Sequence, residues 1–580
     1  MLNKMLYLTK MSVISILLLC GARQVAGADV SLAVTSKAKA TAIPTFHCIG
    51  LYWTPEKGGA ADKRVVVQFR KINGQWRDGL SMKYNPVKTS LCGADYRGSL
   101  VNLTPNTEYE IVLELEGAGL RTVLKVKTWN EEFPIAETIK GSDIPSSLVV
   151  TKSGTPEGYI LYDGTGKTID CGNKHNVGIM IEANYVIIRG YTIRNTKDNG
   201  IEIRRKMKLH HIVIEDCDIS KWGTAKNTGF GKDMQSGVYC HNKLVHNIIV
   251  QRCKIHHPNT DSNSWAEKNR TFHPEGPQGI AFYESAGYHV IRYNEIWSDK
   301  DHYFNDVIGC WSNRSWRGFP GPDSDVYCNY FANSWDDGME IEGGGRNVRV
   351  WNNYVENVFL PIGNAANSIG PTYFWRNVSG RTFSPKGSKY GTLASFFKMG
   401  YAGKKKWMSG HFYCFNNTIL QPKDEGAGGF GCGKPLKHCT TRNNIIHVRK
   451  GSRSCMGQHY NGGDNDLDYD MFSGKRYPKN DKQLTAYNMV SKERLPKKTQ
   501  EPNAIEATPK YTEGFGFNFE TKTGNFQLVE GSSGHDQGAV IPNFSEGYKG
   551  KAPDMGAHEA GTPPMQYGVK ANFVPAGGDK

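Results

Sequence analysis

Short stretches in which apolar and polar residues alternate recur along most of the chain, and turn residues separate them. In the first part of the chain the stretches 48–53, 64–70 and 109–115 show this alternation clearly. Short alternating strands separated by turns are typical of a β-sandwich. We therefore expect an all-β chain that begins with a small sandwich over residues 29–130.

A second set of stretches repeats at variable spacing from about residue 145 onwards. One column of residues occupies the same position at the turn of each repeat, and its last six members are asparagines. The column is Tyr191, Cys217, Cys253, Asn294, Asn329, Asn353, Asn377, Asn417 and Asn444. Asparagine tolerates a left-handed turn, and stacked amides can hydrogen-bond from one coil to the next. Steps of 24 to 41 residues in one register predict a solenoid over residues 131–560, with loops inserted between strands.

A second strand recurs in each early coil, at 178–182, 200–204, 237–241, 279–283, 307–311 and 338–342. Its second and fourth residues are apolar and predicted to face the core, so its third and fifth residues face outwards. The third-position column is Met180, Glu202, Tyr239, Ala281, Gly309 and Glu340. The fifth-position column is Glu182, Arg204, His241, Tyr283, Trp311 and Glu342. One sheet of the solenoid is thus expected to present aromatic, basic and acidic side chains together.

Two resemblances follow from these patterns. The segment 103–109 resembles the tyrosine corner of fibronectin type III domains, and Trp53 matches the core tryptophan of that family. The asparagine column and the repeated strands resemble a right-handed parallel β-helix of the pectate-lyase-like superfamily. The segment 552–559 is similar to the final strand of many secreted β-helix proteins. Residues 561–580 are predicted to form a flexible C-terminal tail.

Residues 1–28 have the pattern of a secretory signal: Lys4 and Lys10, an apolar run at 11–20, and small residues at 26–28. The run is too short to span a bilayer, so we expect a secreted, periplasmic or cell-surface monomer without a membrane span. Removing this segment lowers the net charge from +15 to +12. In an exported protein this favours an anionic polysaccharide partner over nucleic acid, with solubility as the alternative reason for the charge. Export permits disulfides among the twelve remaining cysteines, but their pairing is not readable from the sequence.

Acidic residues are concentrated in the last two of these coils. The candidate catalytic residues are Asp306, Asp336, Asp337, Glu340, Glu342 and His302. Glycoside hydrolysis uses one carboxyl group as the acid and a second as the base or nucleophile, and crowded carboxylates raise each other's pKa. The acids resemble the paired aspartates of polygalacturonase-type enzymes, although the Gly-His-Gly and Arg-Ile-Lys motifs of that family are missing. The candidate substrate-binding residues are Arg204, His241, Tyr283, Trp311, Arg314 and Arg317.

The sequence therefore predicts a glycoside hydrolase that acts on an anionic polysaccharide and needs no cofactor. The first alternative is a Ca²⁺-assisted lyase that cleaves a uronic-acid polymer by β-elimination, with the acids as calcium ligands. Its candidate bases are Arg204, His241, Lys243 and His302. The second alternative is a polysaccharide-binding protein without catalytic activity. Asp336 and Asp337 would then belong to a turn that leads into a strand.

Overall fold

A computed structural model describes residues 30–56, 58–267, 273–382, 397–399, 410–421, 429–432, 438–448, 465–474 and 501–575. Within these ranges the chain is all-β and contains no α-helix. No helix in the described ranges is long and apolar enough to cross a membrane. The predicted signal segment lies outside them. Ten of the cysteines in these ranges, among them Cys48 and Cys439, are free and form no disulfide bond.

Seven antiparallel strands form the N-terminal part of the chain. They are β1 (Thr41–Pro44), β2 (Ile49–Trp53), β3 (Arg64–Lys71), β4 (Arg77–Asn85), β5 (Asp95–Leu100), β6 (Glu108–Leu115) and β7 (Leu120–Lys127). They pair in the order β1-β2-β5-β4-β3-β6-β7. Trp53 and Tyr109 lie in their core, and the Tyr109 hydroxyl accepts a hydrogen bond from the Thr104 amide at 2.8 Å. The alternation in the sequence thus reflects strands with one buried face.

Parallel strands stacked coil upon coil form the main part of the chain, as expected for a β-helix or related solenoid. They are β8 (Ile135–Lys140), β9 (Leu148–Val150), β10 (Tyr159–Asp170), β11 (Val177–Ile181), β12 (Val186–Arg194), β13 (Asn199–Ile203), β14 (His210–Glu215), β15 (Asp218–Ser220), β16 (Ser236–His241), β17 (His246–Gln251), β18 (Lys254–His256), β19 (Gln278–Tyr283), β20 (Val290–Arg292), β21 (Glu295–Trp297), β22 (Asp325–Tyr327), β23 (Tyr330–Glu340), β24 (Val348–Trp351), β25 (Tyr354–Asn364), β26 (Thr372–Trp375), β27 (Val378–Ser379), β28 (Phe397–Met399), β29 (Phe412–Phe415), β30 (Thr418–Gln421), β31 (Phe430–Cys432), β32 (Cys439–Arg442), β33 (Ile445–Val448), β34 (Asp466–Leu467), β35 (Met471–Phe472) and β36 (Ile505–Glu506).

One of the parallel sheets carries the candidate site, and we call it the site sheet. It comprises β9, β11, β13, β16 and β19, continues through bridges at Ile308 to β23, and then pairs with β25, β28 and β31. The predicted inward residues, such as Ile201, Val238 and Met339, are fully buried. The predicted register of the second strand is therefore confirmed. Around 307–311, however, the chain makes single bridges and no regular strand.

The asparagine ladder is confirmed. The Nδ2 group of Asn329 donates to Asn353 Oδ1 at 2.9 Å, and that of Asn353 donates to Asn377 Oδ1 at 3.0 Å. The ladder extends one coil further than predicted, because Asn444 donates to Asp470 at 2.8 Å. The left-handed residue, however, is the one before each ladder asparagine, for example Asn352 at φ 51°. The asparagine is therefore selected for its paired donor and acceptor and not for a positive φ.

The N-terminal strands pack against an outer face of the solenoid. Phe46 and Val101 share an apolar cluster with solenoid rings that include Tyr327 and Trp351. The Tyr52 hydroxyl also donates to Asp323 Oδ2 at 2.7 Å. The interface between the N-terminal strands and the solenoid therefore consists of a shared apolar cluster and a partly buried hydrogen bond.

The C-terminal segment returns along the outside of the solenoid, and the final strand predicted for it is wrong. Residues 552–559 form bends and no strand, and they contact two successive coils, because the Gly556 N–H donates to the Asn443 carbonyl oxygen and the Ala557 N–H donates to Thr418 Oγ1. The predicted flexible tail over 561–580 is described through residue 575, and part of this stretch packs on the solenoid. Tyr567 there is fully buried against the ring of Tyr354. This segment contains β37 (Gly516–Asn518), β38 (Thr523–Asn525), β39 (Met565–Gln566) and a short 3-10 helix (Gly568–Lys570).

Candidate active site

A bulge in β23 brings two consecutive aspartates to one site. Strands β23 and β25 pair Ser334 with Val358 and Asp337 with Leu360, so β23 contains one extra residue between these pairs. Consecutive strand residues normally point to opposite faces, and a bulge changes the direction of the side chains next to it. Asp336 and Asp337 consequently both interact with Asp306 of the preceding coil.

Asp306 lies one coil below Asp337, as the sequence predicted. Its Oδ1 accepts the Asp337 backbone N–H at 3.0 Å, and its Oδ2 accepts the side-chain N–H of Gln278 at 3.1 Å. Both oxygens are therefore held by donors from the two neighbouring coils. Burial, followed by the nearby charge of Asp336, raises the pKa of Asp306 to about 7.

Lys398 of β28 completes the cluster, and sequence reasoning missed it. Its Nζ lies 2.6 Å from Asp337 Oδ2 and 2.9 Å from Glu342 Oε1, and its side chain is 29% exposed. The register explains this position, because Glu340 pairs with Gly363 and Gly363 pairs with Lys398. The sequence does contain a signal, since Lys398 is the polar residue between two apolar neighbours. The predicted third-position column ends at Glu340, two coils before this lysine.

Backbone and amide donors fix the two glutamates. Glu340 Oε2 accepts the Cys310 backbone N–H at 2.9 Å. Glu342 Oε1 accepts the Ala365 N–H at 3.2 Å, and Glu342 Oε2 accepts the side-chain amide of Asn313. Glu342 is therefore tied to a loop and to Lys398, although the sequence predicted it as an exposed outward residue.

Glycines on both neighbouring coils leave room for the carboxylates. A Cβ atom at Gly309 would lie 2.6 Å from Glu340 Cβ and 2.9 Å from Glu340 Oε2. A Cβ atom at Gly363 would collide with Asp337 Oδ2. Asp337 Oδ1 is buried and has no hydrogen-bond partner among the described residues. Glycine is therefore needed at both positions because the carboxylates occupy the space that a Cβ atom would take, and the cluster also contains one unpaired acceptor.

The electrostatics of the cluster are dominated by its carboxylates. Burial raises the pKa of Asp337, Glu340 and Glu342, and neighbouring carboxylates add to the effect at Asp337 and Glu340. Burial lowers the pKa of Lys398, but Asp337 and Glu342 outweigh it, so this pKa lies well above its ordinary value. Five carboxylates surround one lysine, and the cluster is therefore short of positive charge.

His273 lies at the edge of the cluster. Its Nε2 is 3.4 Å from Asp336 Oδ2, its Nδ1 is 2.7 Å from the Pro274 carbonyl oxygen, and its side chain is 57% exposed. Burial lowers the pKa of His273, but the charge of Asp336, the hydrogen bond to the Pro274 carbonyl and the charge of Asp306 together outweigh it, so the pKa is raised. His273 and Lys398 are the members of the cluster that reach solvent most clearly.

His302 makes no contact with the carboxylate cluster among the described residues, and its Nδ1 lies 2.9 Å from Asp299 Oδ1. We therefore withdraw His302 from the candidate catalytic group. A loop position is not fixed by strand register, so the sequence could not place its side chain.

Of the predicted substrate-binding residues, one arginine is already paired within the sheet, whereas three rings are partly exposed. Arg204 Nε donates to Glu182 at 2.7 Å, so this arginine is already paired on the sheet. His241 and Tyr283 are adjacent in register, with ring centroids 4.7 Å apart. Trp311, in the next coil, is 58% exposed. The rings therefore form a partly exposed aromatic column beside the carboxylates.

The remaining basic candidates lie in loops, with Arg314 and Arg317 after Trp311 and Lys243 after β16. Arg314 is exposed and Arg317 half-buried, and neither forms an ion pair with another described residue. Lys243, a candidate base, is exposed and lies 3.6 Å from Glu284. A lysine paired on an exposed edge differs clearly from Lys398, which is surrounded by carboxylates.

Comparisons of the chain with protein-family models, with curated proteins and with solved structures give no match.

Proposed function

We propose that the protein is a secreted polysaccharide lyase that cleaves a uronic-acid polymer by β-elimination, with Lys398 as the base. The observation that carries this proposal is the position of Lys398, whose Nζ lies among carboxylates and whose side chain is partly exposed. Elimination needs one base and a means of neutralising the uronate carboxyl group. The sequence favoured hydrolysis, and it is the position of Lys398 that changes our preference.

Lys398 and His273 account for the two proton transfers that the elimination step requires. Lys398, once its ammonium proton has been lost to solvent, takes the proton from the sugar carbon next to the uronate carboxyl group. The electron pair of that C–H bond forms a C=C double bond, and the glycosidic C–O bond on the following carbon breaks. The departing sugar oxygen takes a proton from His273, whose imidazole is exposed at the edge of the cluster. Water is not consumed, and the product is an unsaturated uronate.

Some of the carboxylates also suit a calcium ion. Asp336, Asp337 and Glu340 offer the oxygen ligands that Ca²⁺ prefers, and the unpaired Asp337 Oδ1 is consistent with such a role. A bound Ca²⁺ would neutralise the uronate carboxyl group and so acidify the adjacent C–H bond. The pKa of Lys398 is high because Asp337 and Glu342 lie beside it. A second cation beside these carboxylates would weaken their attraction for the ammonium form of Lys398. The pKa of Lys398 would then fall, and more of the lysine would be in its neutral, basic form.

Glycoside hydrolysis remains the second candidate, and the pKa of Asp306 favours it. A carboxyl group with a pKa of about 7 can donate a proton near neutral pH. Against this, both oxygens of Asp306 already accept hydrogen bonds, and Asp337 and Glu342 are paired with Lys398. The carboxylates are therefore better placed as anionic ligands than as an acid–base pair.

The proposal includes the finer structural assignments. We propose that the solenoid is a right-handed parallel β-helix of the pectate-lyase-like type, and parallel pairing with an asparagine ladder supports this. We also propose that the N-terminal strands form a fibronectin type III-like sandwich. The strand order and the hydrogen bond from the Thr104 amide to Tyr109 support that assignment.

The test is a screen of uronic-acid polysaccharides with the full chain, in which ultraviolet absorbance of the new C=C bond and new reducing ends are both followed. We expect both signals to increase, and to require Ca²⁺. Lys398→Ala should lower kcat at least about a hundredfold, which is typical for loss of a general base. Lys208→Ala, which removes an exposed lysine from the loop after β13, is the matched control and should leave kcat unchanged.

Reducing ends without ultraviolet absorbance would contradict the lyase proposal and support hydrolysis. Full activity of Lys398→Ala would contradict the role of this lysine. Lys398→Arg separates charge from basicity, because it keeps the ion pairs with Asp337 and Glu342 but is a far poorer base. We expect Lys398→Arg to fold as the unmodified chain does and to remain inactive.

A further inference from the structure

A run of three glycines, at 343–345, directly follows Glu342 and packs against the loop 312–318. A Cβ atom at Gly344 would lie 2.1 Å from the carbonyl oxygen of Trp316 and 2.3 Å from its carbonyl carbon. These are backbone atoms, so they cannot turn aside as a flexible side chain could. The φ angle of Gly344 lies outside the left-handed region, so its own conformation does not require glycine. Glycine is needed at Gly344 because the loop backbone occupies the space beside it.

Hydrogen bonds hold the loop 312–318 in this position. The Gly344 N–H donates to the Ser315 carbonyl oxygen at 2.8 Å, and the Phe319 N–H donates to the Glu342 carbonyl oxygen at 2.9 Å. The Ser315 hydroxyl also donates to the Glu284 carboxylate of the preceding coil. The loop is thus fixed at its middle and at its end, although it contains no regular secondary structure.

The fixed loop brings the side chain of Asn313 to Glu342. The Asn313 amide donates to Glu342 Oε2, whereas Glu342 Oε1 lies 2.9 Å from Lys398 Nζ. Because Asn313 occupies one oxygen of Glu342, the other oxygen faces the lysine. The same Nζ atom lies 2.6 Å from Asp337 Oδ2. Two carboxylate oxygens therefore approach the Lys398 amine from two defined directions.

These two contacts define where the lone pair of a neutral Lys398 points. A neutral amine has two N–H groups and one lone pair in a tetrahedral arrangement. When the N–H groups donate to Asp337 and Glu342, the lone pair takes the remaining direction, away from both carboxylates. We propose that Asn313 is a positioning residue which, held in place by the glycine run 343–345, fixes Glu342 and so directs the lone pair of Lys398 towards the substrate. This inference rests on the proposed role of Lys398 as the base.

The position of the loop is tested without substrate, by trypsin cleavage of the native chain after Arg314, which is exposed on this loop. Each rate is divided by the rate for the same bond in the denatured chain. Gly344→Ala should displace the loop and raise the initial cleavage rate at least about fivefold, because cleavage follows the population of the open loop. Asn313→Ala leaves the glycine run intact and should also raise the rate. Gly93→Ala, where a Cβ atom meets nothing within 4 Å, is the control and should leave the rate unchanged.

The positioning role is tested by the separate values of kcat and KM. Asn313→Asp places a carboxylate against Glu342, and it should lower kcat about tenfold to a hundredfold with KM unchanged, because the base is misdirected. The double variant Asn313→Asp, Glu342→Gln exchanges donor and acceptor. Its amide nitrogen at position 342 donates to the carboxylate at position 313, and its amide oxygen still accepts from Lys398. We expect this double variant to recover kcat to within about threefold of the unmodified chain.

Cleavage after Arg314 that is no faster in Gly344→Ala and Asn313→Ala than in the control would overturn the fixed loop. If Gly344→Ala fails to fold, Asn313→Ala decides this point. A double variant as slow as Asn313→Asp would overturn the positioning role. Absence of elimination by the unmodified chain would overturn the proposed function and with it the role of Asn313, whereas the trypsin rates would still support or overturn the fixed loop.

Discussion

Two columns of polar side chains run along this solenoid, and their buried polar groups find hydrogen-bond partners in different ways. The asparagine ladder and the column Gln278, Asp306 and Asp337 are both buried and both connect neighbouring coils. Each asparagine amide has donors and an acceptor, so the ladder satisfies itself. Carboxylates only accept, so the second column needs donors or cations from elsewhere. The candidate active site lies in the second column, where the stacked side chains cannot satisfy one another's hydrogen bonds.

A carboxylate placed in the ladder tests whether the ladder depends on amides that satisfy one another. Asn353 donates to Asn377 Oδ1 and to the Val326 carbonyl oxygen, each at 3.0 Å. In Asn353→Asp both of these acceptors would face a buried anion without a partner. We expect the free energy of unfolding to fall by about 3–5 kcal/mol. Chemical denaturation measures it.

Asn227→Asp, at an exposed loop position, is the control for this substitution and should change the free energy of unfolding by less than about 0.5 kcal/mol. If Asn353→Asp were as mild as its control, the ladder would not be the self-satisfied column that we describe.

The pH dependence of stability tests the second column. The folded pKa of Asp306, about 7, lies above its ordinary value of 3.8, so the folded chain binds this proton more tightly than the unfolded chain does. Its contribution is fully present below about pH 4 and is lost as the pH rises towards 7. In metal-free buffer, the free energy of unfolding of the unmodified chain relative to Asp306→Asn should therefore fall over this window, by roughly 1 kcal/mol per pH unit. A difference that stays flat or rises with pH would contradict the raised pKa.

The difference between the columns also explains what could be predicted from the sequence. Strand alternation and the asparagine column depend on local periodicity and constant register, and both were predicted. Lys398 enters the cluster through a coil with a long insertion after Gly363, and only register connects the two residues. His302 lies in a loop, where no periodicity fixes the side chain. The docking of Phe46 and Val101 on the solenoid rings depends on tertiary packing, which a strand pattern does not encode.

Conversion of a carboxylate to an amide should have the opposite effect to the ladder substitution. Burial and the nearby charges of Asp306 and Glu342 raise the pKa of Glu340, so its ionised form destabilises the metal-free fold. In Glu340→Gln the side-chain amide oxygen still accepts the Cys310 N–H, and the buried charge is removed. We expect this substitution to raise the free energy of unfolding of the metal-free chain by about 1 kcal/mol at neutral pH. Thermal denaturation in chelator measures this, and a lowered Tm would contradict the comparison.

The aromatic column is a third kind of stack, and the smallest expected effect belongs to it. His241, Tyr283 and Trp311 follow one another in consecutive coils towards the carboxylates, and Trp311 is the most exposed of them. Its ring needs no partner from another coil, so it is free to stack on a sugar face. Trp311→Ala should therefore raise KM about threefold to tenfold, which corresponds to about 1 kcal/mol, and leave kcat and stability unchanged. Phe519→Ala removes a similarly exposed ring from the C-terminal segment and should change neither parameter. A fall in kcat with constant KM would instead place Trp311 in the chemical step, because only interactions that form in the transition state change kcat alone.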